Sequence, residues 1–185
     1  LVPSFKVLAI GICKKYKNQV ILIGVDNSDM AQEVAKENLI EIEPDIDIHK
    51  VEHLNHKILE DILKNESNRH VIIMCKNDIF RLKDDFSPKS FNLMYHSLFK
   101  HHLKDEYKRS LDSIIEDLSK KNLEYDGFRS WSVIIPQTIV GWKYPVFLNA
   151  EIFSNFRYYT KKEIKALYSK SILSFSSKLG TYLRK

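Results

Sequence analysis

Apolar residues recur along this chain with two periods, and the two halves use them differently. "FKVLAIGICKK" and "QVILIGVD" are β-rich apolar runs separated by "YKN", which predicts a hairpin over residues 5–14 and 19–25. "SDMAQEVAKEN" then offers Ser28 as a cap and a short amphipathic helix. "LIEIEPDIDI" alternates apolar and acidic positions and predicts an extended segment. "VEHLNHKILEDILKN" puts Val51, Leu54, Ile58, Leu59 and Ile62 on one helical face, and "RHVIIMCK" reads as a strand. Residues 1–80 are therefore expected to form a small mixed α/β unit with a β-hairpin.

Beyond about residue 81 the helical period dominates. "SPKSFNLMYHSLFKHHL" has Ser87 as cap, Pro88 in the first turn, and Phe91, Met94, Tyr95, Leu98 and His102 on one face. "DEYKRSLDSIIEDLSKKN" aligns Tyr107, Leu111, Ile114, Ile115 and Leu118. Strand signals follow in "SWSVIIPQTIV" and "YPVFLNAEIF". A capping box, Thr160-x-x-Glu163, opens a last helix whose apolar positions continue through Ile164, Leu167, Tyr168, Ile172, Phe175, Leu179 and Tyr182. Residues 81–185 are thus expected to be a second unit with a long closing helix, or to continue the first as one domain.

Composition narrows the class. The chain has 185 residues, 44% hydrophobic and 29% charged, a globular balance. No apolar run approaches the roughly 20 residues that span a bilayer, and no signal-peptide pattern stands at the start, so no membrane partner is expected. Cys13 and Cys75 lie singly in apolar runs, which suggests reduced thiols in the cytoplasm. The net charge of +5 is unevenly spread. Asp26 to Asp47 holds eight acids and one lysine, whereas Arg157 to Lys185 holds eight bases and one acid. The basic end suits a phosphate backbone, or the acidic segment of a second copy in a homo-oligomer or scaffold.

Candidate chemistry is sparse. In "EPDIDIHK" the extended pattern turns Ile42, Ile46 and Ile48 one way and Glu41, Glu43, Asp45, Asp47 and His49 the other. A metal-dependent nuclease, with Mg or Mn as cofactor, would need Asp26, Asp45 and Asp47 to converge, joined by Glu43 and Lys50. Asp47 and Lys50 point to opposite faces of an ideal strand, so partners must come from elsewhere. His49, His53 and His56 with Glu60 have only weak zinc spacing, and the principal reading has no metal and no cofactor. His102 falls on the predicted apolar stripe and reads as a core histidine, while His101 sits among Lys100 and Lys104. Five glycines without a G-x-G pattern exclude a glycine-rich nucleotide cradle.

The predicted order over 87–150 is helix, helix, hairpin, as in a winged-helix domain. Lys108, Arg109, Lys120, Lys121 and Arg129 would then approach phosphates, with Lys161, Lys162 and Lys165 as secondary contacts. The runs "LDSIIEDLSKKNLEYDGFRSWSVIIP", "YPVFLNAEIF" and "YYTKKEIKALYSKSILSFSSKLGTYLRK" resemble plasmid replication initiator proteins over about residues 111–185. Tyr159, Thr160, Leu167, Ser169, Lys170, Leu179 and Tyr182 carry the resemblance, and "KLGTYL" departs from it. The resemblance implies binding of DNA sites, without catalysis. The expectation is therefore a nucleic-acid-binding initiator or regulator, with the nuclease and the scaffold as alternatives.

Overall fold

A computed structural model describes residues 11–12, 15–16, 18–40, 46–65, 70–97, 99–129, 134–135, 157–176 and 181–185. The chain forms two compact units, Leu1–Pro88 and Lys89–Lys185. Among the described residues, no helix is long and apolar enough to cross a membrane.

The first unit is a parallel three-stranded sheet with the order β1-β3-β2. β1 is Ile21–Val25, β2 Asp47–Val51 and β3 Val71–Cys75; α1 (Asp29–Ile40) and α2 (His56–Asn65) connect them in turn. β3 is central because "VIIMC" is apolar at every position, and all five residues are buried. Ile72 and Met74 pack with Leu22, Ile46 and Ile48. A short helix, α3 (Leu82–Asp85), closes the described part of the unit. The hairpin partner expected over 5–14 lies almost wholly outside the described residues, and β1 pairs in parallel with β3.

The second unit is a mixed four-stranded sheet with the order β4-β5-β7-β6. β4 (Met94–Ser97) runs parallel to β5 (Asn122–Gly127). β6 (Leu173–Ser176) and β7 (Thr181–Arg184) form an antiparallel pair, and β7 inserts between β6 and β5. Between β4 and β5, α4 (Asp105–Leu118) buries Leu111, Ile114, Ile115 and Leu118 of the stripe expected from its period, whereas Tyr107 is exposed. Asp105 and Glu106 in its first turn complement the helix dipole.

Two sequence expectations fail here. "FNLMYHS" does not continue a helix: β4 occupies it, followed by a 3-10 turn at Lys100–His102. The long closing helix ends early, because α5 spans only Lys161–Leu167 and the chain then forms β6 and β7. With β5 flanked by β4 and β7, "LEYDGF" is an inner strand of a mixed sheet, not the first strand of a wing. The winged-helix reading is thereby overturned. The expected strands in "SWSVIIPQTIV" and "YPVFLNAEIF" fall largely outside the described residues.

The capping box is present as expected. Thr160 Oγ1 accepts from Glu163 N at 3.3 Å, and Thr160 N donates to Glu163 Oε2 at 2.6 Å. Since α5 has only seven residues, its start depends on this cap. Thr160→Ala is expected to cost about 1 kcal/mol, read from the urea midpoint at unchanged slope.

Candidate active site

At the carboxyl ends of the two parallel strands of the second unit, a histidine and an aspartate meet. β4 ends at Ser97 and the chain turns at once through Lys100–His102, while β5 ends in Asp126-Gly127. His101 N donates to Asp126 Oδ2 at 3.1 Å, and His101 Nδ1 lies 2.7 Å from Asp126 Oδ1. Gly127 N also donates to that Oδ1, at 2.8 Å. A carboxylate only accepts, so the proton of the neutral imidazole belongs on Nδ1 and the lone pair on Nε2; this tautomer is assigned from the hydrogen-bond network.

The pair is enclosed. His101 and Asp126 are 6% and 2% exposed, and the Tyr158 ring stands 4.4 Å from the His101 ring. Gly127 makes that approach possible, since a Cβ there would fall 2.5 Å from Tyr158 Cε1. His102, expected in the core, is exposed and leans on His101 with its ring centroid 4.0 Å away. Partial burial and the neighbouring His101 lower the pKa of His102.

Lys108 forms another wall. Its Nζ donates to Asp105 Oδ1 and to Arg157 O, both at 2.9 Å, and lies 4.4 Å from the Tyr159 ring centroid. The hydrogen bond from Lys108 lowers the pKa of Asp105, whereas burial and then Asp105 push the Tyr159 phenol up to about 12. Between these groups remains a cavity of about 10 Å³, room for a single water.

A buried ionic network occupies the same face of the sheet. The pairings His96↔Glu124 and Glu124↔Arg184 place three polar side chains in one row across β4, β5 and β7. Glu124 is fully buried; its Oε2 lies 2.7 Å from Arg184 Nε and 3.7 Å from Lys100 Nζ, and its Oε1 accepts from the Tyr182 hydroxyl. Lys100 Nζ donates to both Asp112 oxygens at 2.6 Å and to the Tyr168 hydroxyl. Tyr168 in turn donates to Asp112 Oδ2 at 3.0 Å, and Arg184 Nη2 donates to Asp112 Oδ1 at 2.9 Å. Two carboxylates thus face two cations. Burial is the largest cause raising the Tyr168 and Tyr182 phenols far above their ordinary range, and it lowers the pKa of His96.

The residues expected to contact phosphate are scattered. Lys108 is buried in the wall just described. Arg129 is partly buried, 3.7 Å from Glu163. Arg109, Lys120, Lys121, Lys161, Lys162 and Lys165 are exposed, with Lys161 over the Phe175 ring at 4.9 Å. Of the proposed metal acids, Asp45 lies outside the described residues. Asp26 follows the carboxyl end of β1 and Asp47 opens β2 at its amino end. Both strands run parallel to β3, so the two acids stand about 16 Å apart along the sheet. Asp26 and Asp47 therefore do not converge on one ion. The histidines also diverge: His53 Nε2 pairs with Asp85 Oδ1 at 3.0 Å, and His56 Nδ1 with Glu60 Oε1 at 3.3 Å. No metal-ligating cluster occurs among the described residues.

Sequence reasoning passed over Asp126 and Glu124 entirely. "EYDGF" carried a usable signal: a strand with two acids on one face that ends in glycine.

Parallel β4-β5 with β7 inserted antiparallel beside them, together with the parallel sheet of the first unit, defines a mixed α/β protein. No protein-family model matches the sequence, and no curated protein is similar to it. Among solved structures the fold is similar to that of the plantazolicin methyltransferase BamL, with a TM-score of 0.52 and 14% identity over 95% of this chain and 57% of that one. The chain thus spans little more than half of that methyltransferase. The methyltransferase domain of bacterial CtHen1 matches at 0.49, with 12% identity over 97% of this chain and 95% of that one. The small RNA methyltransferase HEN1 also matches at 0.49, with 9% identity over 99% of this chain and 25% of that one. The fold corrects the winged-helix initiator reading together with its DNA-binding function. BamL was solved with S-adenosylhomocysteine, so the similarity counts against the expectation of no cofactor.

Proposed function

We propose that this chain is an S-adenosylmethionine-dependent methyltransferase in which His101 is the general base. The observation that carries this reading is the buried His101–Asp126 pair at the carboxyl ends of parallel strands, where open α/β sheets bind their ligands. When bound, S-adenosylmethionine supplies an electrophilic methyl group. His101 Nε2 accepts the proton of an attacking O–H or N–H group, and the imidazolium so formed is balanced by Asp126. Asp126 fixes the tautomer through Nδ1, and Tyr158 limits water at the ring.

Within the first unit, Asp26 is an acid suited to a nucleoside. Asp26 stands at the carboxyl end of β1, where an acid suits ribose hydroxyls. Its Oδ1 accepts from Ser28 N at 2.8 Å, which orients the carboxylate and leaves lone pairs available. The glycine-rich turn that lets a backbone approach a cofactor has no counterpart in this sequence, so the acid carries more of the recognition. The exposed Lys120, Lys121, Lys161, Lys162 and Lys165 suit an anionic acceptor, nucleic acid included. The buried free thiol of Cys75 favours a reducing compartment such as the cytoplasm.

Calorimetric titration of the chain with S-adenosylhomocysteine tests the proposal. One site is expected, weakened about tenfold or more in Asp26→Ala. No heat at millimolar ligand would sink the methyltransferase reading.

A further inference from the structure

We propose that Lys100, acting with Asp112 and Tyr168, is a positioning residue for His101; this rests on His101 being the base. Lys100 precedes His101 in the same 3-10 turn, yet its side chain leaves in another direction and is only 2% exposed. Its ammonium is fixed by both oxygens of Asp112 on α4 and by the hydroxyl of Tyr168, which follows α5. Asp126 holds His101 by main chain and ring, and Lys100 anchors the residue before it to two other elements. The turn that carries His101 is thus anchored both at Lys100 and at His101 itself.

Stability alone does not account for this arrangement. Taking charges out of water offsets most of the attraction between them, and an apolar set of similar volume is often equally stable. What the ionic set adds is direction. An ammonium bridging two carboxylate oxygens and a phenol has one place to sit, whereas an apolar side chain has several.

The triple variant Lys100→Met/Asp112→Leu/Tyr168→Phe separates the two roles. It removes one cation, one anion and the hydroxyl between them, leaving Arg184 paired with Glu124 at 2.7 Å. Its melting temperature is expected to stay within a few degrees of wild type. Long-range ¹⁵N–¹H correlation should change from a single Nδ1–H tautomer of His101 to an average of two. The methyl-transfer kcat should fall about tenfold to a hundredfold, with S-adenosylhomocysteine affinity unchanged. A triple variant that unfolds, or one that keeps the single tautomer, overturns the proposal. Tyr168→Phe alone is expected to broaden the His101 signals, and unchanged signals there also count against it. Undiminished transfer by His101→Gln would refute the base reading separately, since the tautomer measurement needs no turnover.

Discussion

Replacing Glu124 by leucine is expected to lower stability by about 3–5 kcal/mol, the largest loss for any single change in the ionic network. Glu124 is fully buried, and four groups converge on it: Arg184, Lys100, His96 and the Tyr182 hydroxyl. Removing the carboxylate leaves Arg184 and Lys100 sharing Asp112, with one buried positive charge unbalanced. It also deprives the Tyr182 hydroxyl of its acceptor. Domains are commonly stable by only about 5–15 kcal/mol, so this variant should be largely unfolded at moderate urea. The contrast with the triple variant is the informative part. Both remove charged groups from one network, but only Glu124→Leu leaves an ion without a partner. Urea denaturation of the two against wild type reads the difference, and equal midpoints would disprove the charge-balance account.

Asp126→Asn is expected to reduce methyl transfer by about a hundredfold to ten-thousandfold, at a cost of about 1–3 kcal/mol in stability because an amide turned toward Nδ1 also faces the Gly127 N–H and leaves it without its acceptor. Asparagine keeps the volume but can turn its amide donor toward His101 Nδ1. The imidazole then accepts at Nδ1 and carries its proton on Nε2, which removes the base. The carboxylate that balances the imidazolium disappears in the same change. Single-turnover assays with an acceptor that the wild-type chain methylates will show the loss. A variant that transfers at the wild-type rate would show that the His101–Asp126 pair has no part in the proton transfer.

The first unit was largely legible in the sequence because its elements are short and locally determined. "VILIGV" and "VIIMC" are apolar runs of strand length, and "HKILEDILKN" has a clear helical stripe; each forms the element expected. In the second unit the spacing misled. Met94, Tyr95 and Leu98 are three and four residues apart, as on a helix, but residues 94–97 gain more by pairing with β5 than one apolar face could supply. The closing segment failed for a similar reason. Leu173 and Phe175 also alternate with serines, a strand period hidden inside an apparent helical one, and pairing with β7 decided between them. The pairing of His101 with Asp126 could not be read from either stretch alone. His101 and Asp126 are 25 residues apart and meet only because β4 and β5 are parallel neighbours. The same holds for Glu124 and Arg184, whose partnership depends on where β7 inserts.

That insertion also sets a timetable for synthesis. β7 is the last strand of the second sheet in chain order, yet it lies between β5 and β6 and contributes Tyr182 and Arg184 to the interior. While the ribosome is still adding residues beyond 127, β5 has β4 on one side and an unpaired edge on the other. Glu124 and Asp112 then share Lys100 alone, and their second cation, Arg184, lies more than 50 residues further on. Long-range closures of this kind are slow, and an open strand edge invites the wrong neighbour. Until residue 184 is present, the second unit can neither close this sheet nor give Asp112 and Glu124 their second cation.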